Sequence, residues 1–336
     1  MYNPNTNSID NGNFAALDGT YHCSDLILFP VPWEATVSYR TGTQNAPELI
    51  RQSSLQLDIF DKNYQSIDLN TRVYWDNFYS EKIKRLSSET RQIVQSKLEA
   101  QLNGQTDTNS SFTAQVLQNC ESLNELICTN SYYALNQGKA VGLIGGDHST
   151  PLGLIQALGE HYSEFGILHF DAHHDLRPYF QGFKYSHGSI FHNVLSTVSS
   201  VKSLTQVGIR DYCKKEYNLA KLHPKVTTYY DSDISELMYS GSCNWGNIVD
   251  KIINGLPDNV YISLDMDGLT IENNQSTGTP VPGGLSFAQI RYLIHRLSKS
   301  RKIIGFDLVE CGPSEIDSIV AMRLIFQLCN SVLFTR

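Results

Sequence analysis

The segment Asp171-Ala-His173-His-Asp175 sets two carboxylates and an imidazole at alternate positions, directly after the apolar run Phe165-Gly-Ile-Leu-His-Phe170. If that run is a strand that stays extended past its end, residues 171, 173 and 175 project to one side, because side chains alternate with period two. Oxygen and nitrogen donors of this kind suit a divalent ion of the manganese or zinc type. Two further segments repeat the pattern. Gly145-Gly-Asp147-His148 follows the apolar run Ala140-Val-Gly-Leu-Ile144, and Ser263-Leu-Asp265-Met-Asp267 follows Asn259-Val-Tyr-Ile262. His148, Asp171, His173, Asp175, Asp265 and Asp267 are therefore six candidate ligands at the ends of three predicted strands. Six exceed the four of a closed structural zinc site. They suit two ions that share carboxylates and a water, and each ion would lower the pKa of that water for hydrolysis. A single aspartate after a strand is often only a turn or cap residue; three such clusters together argue for a site. His174 points away from His173 in an extended segment, and His161 and His169 are expected to be structural.

The elements that must carry these residues are legible as alternating runs. Strands are predicted at 24–30, 140–145, 165–170, 203–208, 225–230, 259–264 and 302–308. Helices are predicted at 47–57, with proline in the first turn, and at 151–161, 189–198, 246–254, 286–298 and 315–330. Two long helices fill 80–138, separated by a polar loop at Asn103–Ser111. Such alternation implies an α/β protein with a mostly parallel sheet between helical layers. Ligands in such sheets bind beyond the carboxyl ends of the strands, where the three acidic clusters fall. No internal repeat or long linker divides the chain. It reads as an irregular arm over residues 1–20, long enough for a subunit contact, and one catalytic domain over 21–336.

Composition narrows the partners. The 336 residues carry 26 Lys+Arg against 34 Asp+Glu, a net charge of −8, with no basic run that would mark nucleic-acid binding. Part of that deficit belongs to the aspartate clusters, which need bound cations to be tolerable. Residues 1–20 lack the basic and apolar regions of a signal peptide, and no apolar run nears the ~20 residues of a membrane helix. The seven cysteines are scattered without a C-x-x-C pair, as expected of a reduced, cytoplasmic chain. Trp33, Trp75 and Trp245 are expected in packing roles.

Gly145-Gly-Asp-His-Ser149, Asp171-Ala-His-His-Asp175, Ser263-Leu-Asp-Met-Asp267 and Thr277-Gly-Thr-Pro-Val-Pro-Gly-Gly284 resemble, in order, the four signatures of the ureohydrolase family. That family comprises arginase, agmatinase, formiminoglutamase and guanidino-acid or guanidine hydrolases; the resemblance covers about Leu26 to Leu328. It implies a three-layer α/β/α, arginase-like fold, a homo-oligomer (trimer or hexamer), and two manganese ions, with nickel possible. It assigns His148, Asp171, Asp175 and Asp265 to one ion, and Asp171, His173, Asp265 and Asp267 to the other. Asp171 and Asp265 would bridge, and Asp175 would also orient the shared hydroxide.

The resemblance further implies that His187, in Tyr185-Ser-His-Gly-Ser189, delivers a proton to the departing amine. Glu310, in Phe306-Asp-Leu-Val-Glu-Cys311, would grip the guanidinium. A planar cation with paired N–H donors fits a carboxylate bidentately. Thr279 lies in the fourth signature, and Tyr212, Cys213 and Glu216, after Gly208-Ile-Arg-Asp211, are expected at the pocket mouth. Arg177 stands where arginases carry a substrate-contacting asparagine; it could face a substrate carboxylate or form a structural ion pair. Thr270 replaces the family's usual aspartate, a loop-ordering residue. The implied reaction is hydrolysis of a guanidino or amidino C–N bond, agmatinase-like, releasing urea and an amine. The alternatives are guanidine, guanidino-acid, formiminoglutamate or arginine as substrate, or an inactive metal-stabilised relative. Deacetylases of the same fold use one zinc and lack the Gly-Gly-Asp-His motif that this chain retains.

Overall fold

Val and Ile/Leu runs without polar alternation form strands only when both faces are covered, and that is what the chain builds. A computed structural model describes residues 8–103 and 110–336. Eight parallel strands form one sheet in the order β2-β1-β3-β8-β7-β4-β5-β6. They are β1 Leu26–Val31, β2 Val73–Trp75, β3 Ala140–Gly145, β4 Phe165–Phe170, β5 Val201–Ile209, β6 Val226–Tyr230, β7 Asn259–Asp265 and β8 Lys302–Val309. Every residue of β1, β3 and β4 is buried.

Helices cover both faces. One layer holds α1 (Ala46–Ser53), α7 (Asp231–Tyr239), α8 (Trp245–Asn254), α9 (Phe287–Ser298) and α10 (Glu315–Phe334). The other holds α2 (Ser80–Leu102), α3 (Ser110–Asn136), α4 (Leu152–His161), α5 (Ile190–Thr197) and α6 (Lys214–Leu222). The two cores alternate along single strands: Leu26 and Leu28 face the first layer, Ile27 and Phe29 the second. Trp33 and Trp75 are buried, and Trp245 packs half-buried on the first core.

Three elements had no sequence expectation. β2 is only three residues long, α6 is a polar surface helix, and α7 starts on the residue after β6, with no turn between them. Residues 104–109 of the polar loop expected at Asn103–Ser111 lie outside the described residues. α10 departs from the expectation that no apolar segment nears membrane-spanning length. An 18-residue stretch of this 20-residue helix has a mean hydropathy of 1.4, yet 78% of that stretch is buried inside the fold, as befits a core helix. At the N-terminal side, Phe14 stacks on Trp75, and Asn13 accepts the Trp75 N–H while donating to Val73 O. These contacts tie residues 13–17 to the β2 edge.

Candidate metal centre and active site

The four central strands of the sheet, β3, β8, β7 and β4, are neighbours, and their carboxyl ends supply His148, Glu310, Asp265 with Asp267, and Asp171. The loops between them approach closely. A Cβ at Gly146 would lie 2.0 Å from Trp33 O, and one at Gly268 would lie 2.7 Å from Asp171 N, so both need glycine. Asp147, in the first signature, turns away to accept from Ser149 N–H and Thr36 Oγ1.

Residues 171–175 do not continue β4, as the expectation of an extended segment required. His173 N–H donates to Asp171 Oδ1 (2.6 Å), which bends the chain, and Asp175 has φ +54°. That left-handed conformation is uncommon for a non-glycine residue. It is held by Phe191 N–H donating to Asp175 O, while Ala172 N–H donates to Asp267 Oδ1 and Ala172 O accepts from Arg210 and Asp211. The convergence of 171, 173 and 175 therefore comes from a braced turn, not from strand alternation.

His148 Nδ1 lies 3.1 Å from one oxygen each of Asp171, Asp175 and Asp265. This buried nitrogen makes no hydrogen bond. On the other side of the ring, Nε2 meets Ser263 Oγ at 3.0 Å, and Ser263 Oγ donates to Asp307 Oδ1. Ser263 can then accept only from Nε2–H, so the Nδ1 lone pair faces three carboxylate oxygens. Such a set repels itself without a cation. Donors at right angles around an ion with bonds of about 2.2 Å would stand about 3.1 Å apart, so the residues fit a divalent ion. In a second group, His173 Nδ1 lies 3.1 Å from Asp267 Oδ2 and 3.4 Å from Asp171 Oδ1. Asp265, expected in both sets, turns Oδ2 to His148 and accepts Asp267 N–H on Oδ1.

His169 Nε2 also lies 2.8 Å from Asp171 Oδ2, but its protonation makes it a support. Gln206 Nε2 donates to His174 O, which fixes the amide orientation, and also to His169 Nδ1. His169 must then carry its proton on Nε2 and donate it to Asp171. His174 points into the same network, 2.7 Å from Gln206 Oε1.

The titration pattern is that of a cluster short of positive charge. Burial, with the charge of Asp171, pushes Asp175 up to about 7. Burial and neighbouring carboxylates likewise raise Asp265 and Glu310 well above the usual range. Burial opposes protonation of His148 and His173, yet the surrounding aspartates raise both well above an ordinary imidazole. A divalent charge bound among them would favour the ionised carboxylates and the neutral imidazoles.

Above the ligands is a pocket of about 180 Å³. It gathers His148, His173, Asp175, Asp265 and Asp267 with Arg177, His187, Glu216, Thr279 and Glu310; Asp171 lies buried beside them. Glu310 is aimed by φ +56°, and its Oε1 accepts the His148 N–H. His187 Nε2 lies 3.4 Å from Ser38 Oγ, and burial together with His173 pushes its pKa down to about 4. Thr279 Oγ1 donates to Asp267 Oδ2. Arg177 Nε donates to Glu216 Oε2 (3.2 Å), and its guanidinium lies over the Phe180 ring. Neither Cys213 nor Tyr212 lines the pocket. Cys213 caps α6, its N–H donating to Glu216 Oε2, and Tyr212 packs on His174 and Tyr230. Ser38, Phe180, Gly188 and Asp211 line the pocket without having been expected there. Of these, Gly188 and Asp211 stood within quoted motifs.

The loop with Thr270 is ordered without the aspartate. Thr270 N–H donates to Leu285 O, and its Oγ1 accepts from Asn273 Nδ2. Arg210 donates to the carbonyls of Gly208, Asp267, Leu269, Val281 and Pro282. Arg210→Met should leave several of these carbonyls unpaired and lower unfolding free energy by about 3 kcal/mol. Urea denaturation checks this; an unchanged midpoint would show that the loop does not depend on Arg210.

An all-parallel α/β/α sheet with paired carboxylate–imidazole groups at its carboxyl edge defines an arginase-type hydrolase. The arginase family model matches residues 24–334, and the chain belongs to that family, whose enzymes use binuclear metal centres and act on C–N bonds of linear amidines. Among individual relatives, the chain is 29% identical over 306 residues to N(1)-aminopropylagmatine ureohydrolase of Thermus thermophilus, covering 90% of this chain and 87% of that one. It is 25% identical over 306 residues to the agmatinase of Pyrococcus horikoshii, covering 90% of each. Its fold matches proclavaminate amidino hydrolase from Streptomyces clavuligerus with a TM-score of 0.74 at 22% identity, covering 98% of this chain and all of the other.

Proposed function

We propose that the protein hydrolyses the guanidino C–N bond of an agmatine-like substrate, a guanidinium whose far end carries a second positive charge. The observation that carries this reading is the charge of the pocket. Asp171, Asp175, Asp211, Glu216, Asp265, Asp267 and Glu310 set seven carboxylates against the single cation Arg177. Two divalent ions and Arg177 would not offset all of these carboxylates, which favours a cation. The Arg177–Glu216 ion pair (3.2 Å) uses the arginine that a substrate carboxylate would need. Asp211 stands at the mouth, its side chain 68% exposed and its Oδ2 3.8 Å from His173 Nε2.

His148, Asp171, Asp175 and Asp265 would hold one ion, and Asp171, His173 and Asp267, with Asp265, the other. Bound there, the pair would supply a nucleophilic water at neutral pH and stabilise charge at the reacting carbon. Glu310 would grip the guanidinium with Oε2, since Oε1 already accepts from His148, and so fix the carbon in place. The proton lost by water would pass to Asp175 and through His187 to the departing nitrogen. Water and the guanidinium give urea and an ammonium ion, so atoms and charge balance. The family relationship supports manganese, with nickel as alternative, and a trimer or hexamer; seven free cysteines accord with a cytoplasmic location. Arg177 lying over Phe180 at the pocket wall favours short substrates and keeps guanidine as a second reading.

A urea-release panel loaded with manganese and then nickel tests this, across agmatine, arginine, guanidinobutyrate and guanidine, with formiminoglutamate scored for formamide. Agmatine should give the highest kcat/KM; release from none of them would overturn the reading. Asp211→Asn should raise KM for agmatine about three- to fivefold, the worth of a solvent-exposed ion pair, and leave guanidine kinetics unchanged. Equal effects on both substrates would remove Asp211 from tail recognition.

A further inference from the structure

A second cavity, of about 300 Å³, opens at the β2 edge of the sheet between β1, β2 and α3, and shares no lining residue with the catalytic pocket. Its walls are the rings of Tyr21, Phe29, Tyr74, Phe78, Tyr79 and Tyr133. Several stand edge-on to one another: Tyr21 to Tyr74 at 85°, Phe29 to Tyr79 at 79° and Phe78 to Tyr79 at 86°. Tyr133 instead lies at 24° to Tyr21, so one wall is a stacked pair and the others stand across it.

One carboxylate lines this cavity. Asp76 directly follows β2, and its own N–H donates to Leu28 O, continuing the ladder. Its Oδ1 accepts only the Phe78 N–H at 3.3 Å, and no Lys, Arg or His among the described residues forms an ion pair with it. Burial raises its pKa, and no cation acts against that shift. The nearest comparison is Lys139, whose Nζ lies 5.4 Å from the Tyr21 ring centre. That ammonium already donates to the carbonyls of His22 and Ser24 and does not line the cavity.

We propose that this cavity binds a small alkylammonium ion, held by the ring faces and Asp76. Aromatic faces attract cations through the ring quadrupole, and boxes of such rings take alkylated ammonium groups. The unpartnered carboxylate selects for positive charge, and the volume admits an ion the size of tetramethylammonium or butylammonium. Phe78 and Tyr133, 78% and 60% exposed, form the rim.

The test titrates the metal-loaded full chain with tetramethylammonium chloride and n-butylammonium chloride by calorimetry, with sodium chloride as the ionic-strength control. One saturable site per chain is expected, weakened tenfold or more in Asp76→Asn and in Tyr133→Ala, and retained in Glu310→Gln, which disables the catalytic pocket instead. Hydrolytic turnover of Asp76→Asn should equal that of the parent. Tyr133→Ala, at an exposed ring, keeps the test open if Asp76→Asn does not fold. The proposal is overturned by the absence of saturation up to about 50 mM. It is equally overturned by undiminished binding in both cavity variants, or by binding lost only in Glu310→Gln. Dissociation of the assembly in either cavity variant, read by sedimentation velocity, would assign the surface to a second copy and also overturn it.

Discussion

Asp171→Ala is expected to empty both metal positions and to cut urea release about a thousandfold or more, since ion-borne charge stabilisation is worth several kcal/mol and each 1.36 kcal/mol is tenfold in rate. No other residue is engaged so completely. Oδ2 lies 3.1 Å from His148 Nδ1 and 2.8 Å from His169 Nε2, while Oδ1 lies 3.4 Å from His173 Nδ1 and accepts the His173 N–H. Alanine removes a donor from each group and also the acceptor that bends residues 171–173. The orphaned His169 N–H adds about 1–3 kcal/mol of instability, so Asp171→Asn, which keeps the shape, should accompany it. Metal content per chain by elemental analysis and urea release read the outcome. Retention of two ions and of turnover would end the assignment.

Removal of metal should destabilise the protein far more at pH 7.5 than at pH 5. In the metal-free fold Asp175 titrates at about 7, against 3.8 for an ordinary aspartate, because burial and Asp171 disfavour its charge. Asp265 and Glu310 are raised for related reasons. Between pH about 4 and about 7 the folded chain therefore holds protons that the unfolded chain has released, and stability falls as pH rises through that window. Below it both states are protonated and the penalty vanishes. For Asp175 alone the loss is on the order of 2–4 kcal/mol at neutral pH, at 1.36 kcal/mol per pH unit. Bound cations cancel the repulsion and remove the fall. Melting temperatures with and without chelator at the two pH values give the answer: an equal drop at both would show that the carboxylates are not the source of strain.

The layers were readable because β1, β3 and β4 are buried on both faces and so must be apolar throughout. The candidate ligands were readable because each stands at the end of such a run. Geometry beyond that was not. Alternation suggested that 171, 173 and 175 converge, but they do so through a turn that depends on acceptors and donors from Arg210, Phe191 and Asp267 far along the chain. Ser38 reaches His187 across 149 positions, and nothing local marks such a contact. Arg177 could be read either way until its partner Glu216, 39 positions on, was placed beside it. The short β2 and polar α6 escaped because neither buries enough surface to impose a period.

The site stands on four adjacent strands in the middle of the sheet. Interior strands of this kind release their amides to deuterium only when the whole domain opens. An incoming ion therefore meets a scaffold that is already assembled, and its arrival should be governed by traffic past Phe180 and Asp211 at the entrance. Reconstitution would then be fast, and exchange across β3, β8, β7 and β4, already slow, would slow further by the stability that the ions add.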